Sequence, residues 1–253
     1  DLFCPKGIVL HSLNLNFAKA ILNLKIDIPI GWIVYGYDIY ELPLIKRNIW
    51  SKKTKNYVKL NLPILFFKNS SIRHSQLGVF VLKYFFAKSD NTEILLNSLD
   101  RIEYFMSYIK EDFELFSTYY KHSLKHCEIF ISSIEGYVGN ESNKIHENAR
   151  NVLVGNSSTL ESNYFDVIDL VSNDQEDINN FYFVFGYGGN ARFRDSVKKR
   201  GAQRIGPSFI ALEEFISKNE YLELLKSCKV GIFNHYRQQA MGNIFAMLYM
   251  GSR

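Results

Sequence analysis

Short apolar runs that end in small or polar residues recur along this chain: GIVLH at 7–11, IGWIVYG at 30–36, NVLVGNSS at 151–158, NFYFVFGYGG at 180–189 and KVGIFN at 229–234. The first is followed by SLNLNFAKAILNL, where Leu13, Phe17, Ala20, Ile21 and Leu24 recur at helical spacing. Similar segments, ESNYFDVIDLV, ARFRDSVKKRGA and NEYLELLKSC, follow or precede the later runs. Apolar runs without polar alternation read as strands buried on both faces, and helices between them return the chain for parallel pairing. The expected fold class is therefore α/β, with mostly parallel sheets covered on both sides by helices.

Further short strands are expected in DRIEYFMSY and EIFISS, with the helix-like EDFELFSTYYKHSL between them, and around Gln203 to Ile205. The polar stretch GNESNKIHENAR at 139–150 precedes a fresh apolar run, which marks a boundary near residue 147. Two domains follow, 1–147 and 148–253. Both are expected to be incomplete, the first at its amino end and the second at its carboxyl end.

At 253 residues with 47% hydrophobic side chains the chain can bury a substantial core, which argues against disorder. Three cysteines without CxxC or metal-ligand spacing support neither a disulfide framework nor a zinc site. A net charge of +4 does not by itself call for nucleic acid. Distribution is more informative: KRNIWSKKTKNYVK at 46–59 holds six basic and no acidic residues together with Trp50 and Tyr57. That combination suits an anionic membrane face, or a solvated basic helix. Lys68, Arg73, His74 and Lys83 interrupt the most apolar region, so any attachment is expected to be peripheral.

In open parallel sheets, ligands bind beyond the carboxyl ends of strands, so the strand exits are the places to search. After NVLV stand Gly155, Asn156 and Ser157, where backbone amides can approach a phosphate or sugar, or where Ser157 or Ser158 caps the next helix. Gly186 and Tyr187 leave the next run in the same manner. The segment GIFNHYRQQAMGN crowds Asn234, His235, Arg237, Gln238 and Gln239 before an apolar helix that begins near Gly242 and Asn243. A guanidinium with a helix amino terminus can hold a diphosphate, although an ion pair is the alternative for Arg237. YGYDIYE offers Asp38 and Glu41 as proton acceptors, with helix capping as the competing role for Asp38. His11 at the first strand exit is a further possible base or sugar contact. No HExxH or His and Asp cluster demands a metal, and neither GxGxxG nor a P-loop occurs.

Taken in order, WIVYGYDIYEL, VLVGNSS, the FGYGG exit and CKVGIFNHYRQQAMGN resemble the TDP-N-acetylfucosamine:lipid II N-acetylfucosaminyltransferase family of enterobacterial common antigen assembly. The resemblance extends from about His11 to Gly251, with residues 60 to 100 poorly matched. It implies a GT-B architecture of two Rossmann-like domains, a dTDP-sugar donor and no cofactor or metal. It also implies an undecaprenyl-diphosphate-linked acceptor, and with it a place at the cytoplasmic face of the bacterial inner membrane. By the same resemblance Gly155, Asn156 and Ser157 line the donor site and Arg237, Gln238 and Gln239 contact the diphosphate or sugar, opposite Asp38 and Glu41. A noncatalytic nucleotide- or lipid-binding protein on this scaffold, or a transferase using another nucleotide sugar, stays open. The chain departs from the pattern at Ala240 and Met241, where a glycine is expected.

Overall fold

The computed structural model describes residues 5–40, 42, 45, 48–63, 92–121, 123–139, 144–173 and 176–253. In chain order the elements begin β1 (Ile8–His11), α1 (Leu15–Leu22), β2 (Ile30–Ile33), α2 (Tyr37–Tyr40), α3 (Lys52–Asn61), α4 (Thr92–Leu99), β3 (Tyr104–Ser107), α5 (Lys110–Tyr119) and β4 (Lys125–Glu128). They continue with α6 (Ile134–Val138), β5 (Asn151–Val154), α7 (Tyr164–Val171), β6 (Phe181–Val184), α8 (Ala191–Arg204), β7 (Phe209–Leu212), α9 (Lys218–Ser227), β8 (Cys228–Ile232) and α10 (Met241–Met250). Two compact units emerge. Unit 1 holds Asp1–Arg47, Ile64–Ile131 and Arg237–Gln239; unit 2 holds Asn48–Pro63, Ser132–Tyr236 and Ala240–Arg253.

Unit 1 is built on a parallel sheet of order β1-β2-β3-β4. All four residues of β2 are buried, as a strand covered on both faces requires. Trp32 lies edge-on to Phe105 and Phe116 at ring separations of 5.3 and 5.7 Å, with Ala18, Ile21 and Leu99 in the same core. The Asn14 side chain accepts from the amides of Asn16 and Phe17 and so starts α1. β4 falls on KHCE rather than on the expected EIFISS. Its place is set by the ladder to β3, which pairs Tyr104 with Lys125, and by His126, whose ring stacks on Phe113 at 5.1 Å. Ile129 follows the strand, and the Phe130 side chain is exposed.

Unit 2 carries a parallel sheet of order β7-β6-β5-β8, with the chain crossing from one side of β5 to the other. That is the strand order of a Rossmann half, and its reversal beside β5 is where such sheets open a ligand crevice. The strand expected at Gln203 to Ile205 is instead the end of α8. Gly201 lets the helix run against the Phe209 ring, where a Cβ would stand 2.3 Å from the ring, and Ile205 is buried as its cap. After a short turn at Gly206–Ser208 the true strand β7 begins, and Phe209 packs on Phe183 at 4.8 Å.

The two aromatics of the basic segment are turned onto protein and are not free for a membrane face. Trp50 is buried and its Nε1 donates to Glu161 at 3.2 Å. Tyr57 packs against Phe165 and Phe193, with ring separations of 5.2 and 5.6 Å. Trp50 thus ties the entry of α3 to the turn before α7, and Tyr57 fastens α3 to α7 and α8, because a protein face satisfies an amphipathic ring as well as a lipid interface does. Lys52, Lys55 and Lys59 stay exposed, and Lys46 and Arg47 lie outside the described residues. Among the described residues, no helix is long and apolar enough to cross a membrane.

Candidate functional site

A cavity of about 470 Å³ opens in unit 2 at the carboxyl ends of β5, β6 and β7. Asn156 reaches it from the β5 exit, Gly186 and Tyr187 from the β6 exit, and Glu214, Phe215 and Ile216 from the β7 exit. Tyr221 lines it from α9, and Ala240 to Asn243 from the start of α10. Phe215 is 94% exposed, a position that burial energy alone does not explain for an aromatic ring. Burial pushes the Tyr221 hydroxyl above the usual phenol range, against a hydrogen bond with Asn243, so it remains neutral at the cavity wall.

The opening turn of α10 is a second chemical feature of this cavity. Ala240 stands at its N-cap with φ 62°, and no side chain caps the helix. Amides of a helix's first turn lack intrahelical acceptors and carry a partial positive charge, which suits an anion. Here they border a cavity with largely apolar walls, and a nucleoside diphosphate matches that mixture of an apolar body and an anionic tail.

Behind the cavity, the β5 exit is fixed by geometry. Gly155 has φ 65°, and a Cβ there would meet the Tyr164 ring at 2.6 Å, so only glycine fits. The Tyr164 hydroxyl lies 2.8 Å from the Ser157 carbonyl and 2.7 Å from the Val184 carbonyl, joining the exits of β5 and β6. Asn156 Nδ2 donates to the Tyr187 hydroxyl, while Ser157 pairs with Thr159 at 3.1 Å. The Ser158 hydroxyl donates to the carbonyls of Tyr187 and Gly188, so these serines brace the loops and do not cap α7.

Unit 1 has its own strand-exit cluster. His11 closes β1, and its Nδ1 lies 3.1 Å from the Tyr35 hydroxyl just past β2. Ser12, buried, takes φ 71°, a left-handed conformation that non-glycine residues seldom adopt. Asp38 is buried beneath them. Its Oδ2 accepts from Trp32 Nε1 at 2.8 Å and the Leu13 amide at 3.2 Å, and its Oδ1 accepts from the Tyr35 amide at 3.1 Å. Burial raises the Asp38 carboxyl's pKa, and these hydrogen bonds only partly oppose the rise. Buried and with both oxygens engaged, the carboxylate organises the two loops. Glu41 lies outside the described residues.

The residues singled out from sequence are thus distributed. Asn156, Gly186, Tyr187, Gly242 and Asn243 come together around the unit 2 cavity. Gly155 and Ser157 support it, and the carbonyl of Asn234 accepts from Asn163 Nδ2 at 2.9 Å. Arg237, Gln238 and Gln239 belong to unit 1, where the Gln238 carbonyl sits so close to Gly36 that a Cβ there would be 2.5 Å away. Among the described residues, Arg237 Nε and Gln238 Oε1 are buried without a hydrogen-bond partner, an arrangement that native proteins reserve for functional or solvent-filled places. Glu214, Phe215, Ile216 and Tyr221 were not read as site residues. The signal was available: had β7 been placed after Gly206 and Pro207, LEEFIS would have ranked as a strand exit.

Two parallel-sheet units with a strand-exit cavity in the second define a GT-B glycosyltransferase fold. The chain belongs to the 4-alpha-L-fucosyltransferase family, glycosyl transferase group 56, whose sequence profile matches residues 106–252. Solved structures agree on the fold. One, described as trehalose-6-phosphate from E. coli bound with UDP-2-fluoro glucose, is similar with a TM-score of 0.57 at 10% identity, over 95% of this chain and 55% of that one. UDP-forming alpha,alpha-trehalose-phosphate synthases from Burkholderia xenovorans and Burkholderia vietnamiensis give TM-scores of 0.55 and 0.52 at 11% identity. These cover 96% and 94% of this chain and 56% and 54% of theirs, so the chain spans little more than half the length of the structures it matches. No curated protein sequence matches it.

Proposed function

We propose that this protein transfers a deoxyamino sugar resembling N-acetylfucosamine from a dTDP-sugar to a hydroxyl of an undecaprenyl-diphosphate-linked oligosaccharide during surface polysaccharide assembly. The observation that carries the donor half is the unit 2 cavity, whose apolar walls end at the uncapped amino terminus of α10. In this reading the nucleoside occupies the cavity and the diphosphate meets the α10 amides, which stabilise its charge as it leaves. Arg237, with Nε unpartnered among the described residues, is the guanidinium that the family resemblance gives to the donor diphosphate or sugar.

Among the described candidates of unit 1, His11 is the proton acceptor in this reading, its ring exposed at the β1 exit while Asp38 is committed to backbone amides and Trp32. The acceptor's O–H proton passes to the imidazole, and its oxygen bonds the anomeric carbon as the carbon–oxygen bond to the diphosphate breaks. Nucleoside diphosphate departs with the bonding electrons. Exposed lysines of α3 favour peripheral association with an anionic cytoplasmic leaflet, where a polyprenyl-linked acceptor is held.

Heat stability of the full-length protein with thymidine, uridine or guanosine diphosphate tests the donor. Thymidine diphosphate should give the largest rise in Tm, and Arg237→Ala should remove its advantage. An equal response to all three would sink the thymidine assignment.

A further inference from the structure

The exits of β1 and β2 are held side by side by one buried group. β1 and β2 pair in parallel with His11 opposite Ile33, and the Ser12 amide extends the ladder by donating to the Ile33 carbonyl at 3.1 Å. Beyond that point the Asp38 carboxylate takes the amide of Leu13 from one exit and the amide of Tyr35 from the other. A single side chain on α2 therefore fixes the separation of two loops that bear His11 and Tyr35. The left-handed Ser12 between them is kept in place by burial, the circumstance in which such backbone strain persists near functional groups.

What the two loops hold at that fixed distance is an exposed imidazole and a half-buried phenol, 3.1 Å apart through Nδ1. A neutral imidazole has one N–H, so this contact governs which nitrogen keeps a lone pair. If Nδ1–H donates to the phenol oxygen, Nε2 is the basic atom. Were the phenol to donate instead, the hydrogen would sit on Nε2 and the ring could not accept a proton there.

We infer that Tyr35 is a positioning residue: its oxygen accepts from His11 Nδ1–H and so presents Nε2 as the proton acceptor, with Asp38 holding both residues in register. This rests on the reading of His11 as the base. A phenol oxygen suits the task, because the bond from Nδ1–H becomes charge-assisted once Nε2 has taken a proton, without a second carboxylate in the site.

The tautomer can be read directly by nitrogen-15 NMR of the imidazole in the full-length protein, with His11→Gln identifying the signals. Wild type should show the proton on Nδ1, and Tyr35→Phe should move the population towards Nε2–H while leaving the far-UV circular dichroism unchanged. With the dTDP-sugar donor and an undecaprenyl-diphosphate-linked acceptor, Tyr35→Phe should lower kcat about tenfold and leave the acceptor KM within about twofold, and His11→Gln should lower kcat by about 100-fold or more. A wild-type proton on Nε2, or an unchanged tautomer in Tyr35→Phe, overturns the assignment of Tyr35. Full turnover by His11→Gln would instead overturn the reading of His11 as base, and the tautomer would still report the Tyr35 contact.

Discussion

Asn163 Oδ1 accepts a 2.7 Å hydrogen bond from the amide of Ser51, a residue 112 positions earlier in the chain. Asn163 is fully buried with φ 49°, and its Nδ2 donates to the carbonyls of Glu161 at 3.0 Å and Asn234 at 2.9 Å. One amide side chain thus ties α3, the turn before α7 and the β8 exit together within unit 2.

Replacing that side chain should show how much of unit 2's stability rests on it. Asn163→Gly keeps the left-handed backbone and removes the hydrogen bonds, and Asn163→Ala also strains the backbone. Expected losses in urea unfolding are about 2 kcal/mol for the glycine variant and about 3 kcal/mol for alanine. Equal losses would show that the backbone conformation contributes little. Losses within about 0.5 kcal/mol of wild type for both would show that the tie is dispensable.

Asp169 gives a prediction with a pH sign. Burial alone would raise its carboxyl, but the hydrogen bonds and charges of Lys53 and Arg200 lower it on balance. Arg200 donates to both carboxylate oxygens at 2.7 Å, and Lys53 binds Oδ2. A depressed folded pKa means that the stabilisation is present above the unfolded value, near pH 4, and fades as pH falls through the folded one. Because Lys53 and Arg200 side chains are 44% and 41% exposed, solvent screening holds the contribution to about 1 kcal/mol. Wild type should exceed Asp169→Asn by that margin in urea unfolding at pH 7 and lose most of the margin at pH 3; a gap that widens with acid would refute the assignment.

Phe215 should separate binding from folding. At 94% exposure its removal costs the fold little, so Phe215→Ala should melt within about 1 °C of wild type. If the cavity takes the nucleoside, the same change should weaken thymidine diphosphate binding about tenfold by calorimetry, through lost aromatic contact. Undiminished affinity would place the nucleoside elsewhere.

The strands most easily read from sequence were those buried on both faces, since β2, β5 and β6 leave almost no polar alternation to mislead. β7 was harder. Its residues are only half-buried, and Ile205 supplied a nearer apolar decoy that the helix uses as its cap. The cavity was accordingly half legible: the β5, β6 and α10 contributions followed from their exits, and the β7 contribution was lost with its strand. Asp38 shows a different limit. A carboxylate after a strand looks the same in sequence whether it meets a substrate or three donors, and only the partners tell them apart. Trp50 and Tyr57 repeat the point, because periodicity marks an apolar face without saying what covers it.

Unit 2 is not a contiguous piece of chain, since residues 48–63 come from within the sequence span of unit 1. A proteolytic or recombinant fragment beginning at Ser132 would include the whole cavity, yet Phe165 and Phe193 would lose Tyr57, and Asp169 would lose Lys53. Dissection at a single cut would therefore leave a sticky, self-associating half. Adding residues 48–63 as a separate peptide, or splicing them onto a new terminus, turns that defect into a complementation system whose reassembly can be titrated.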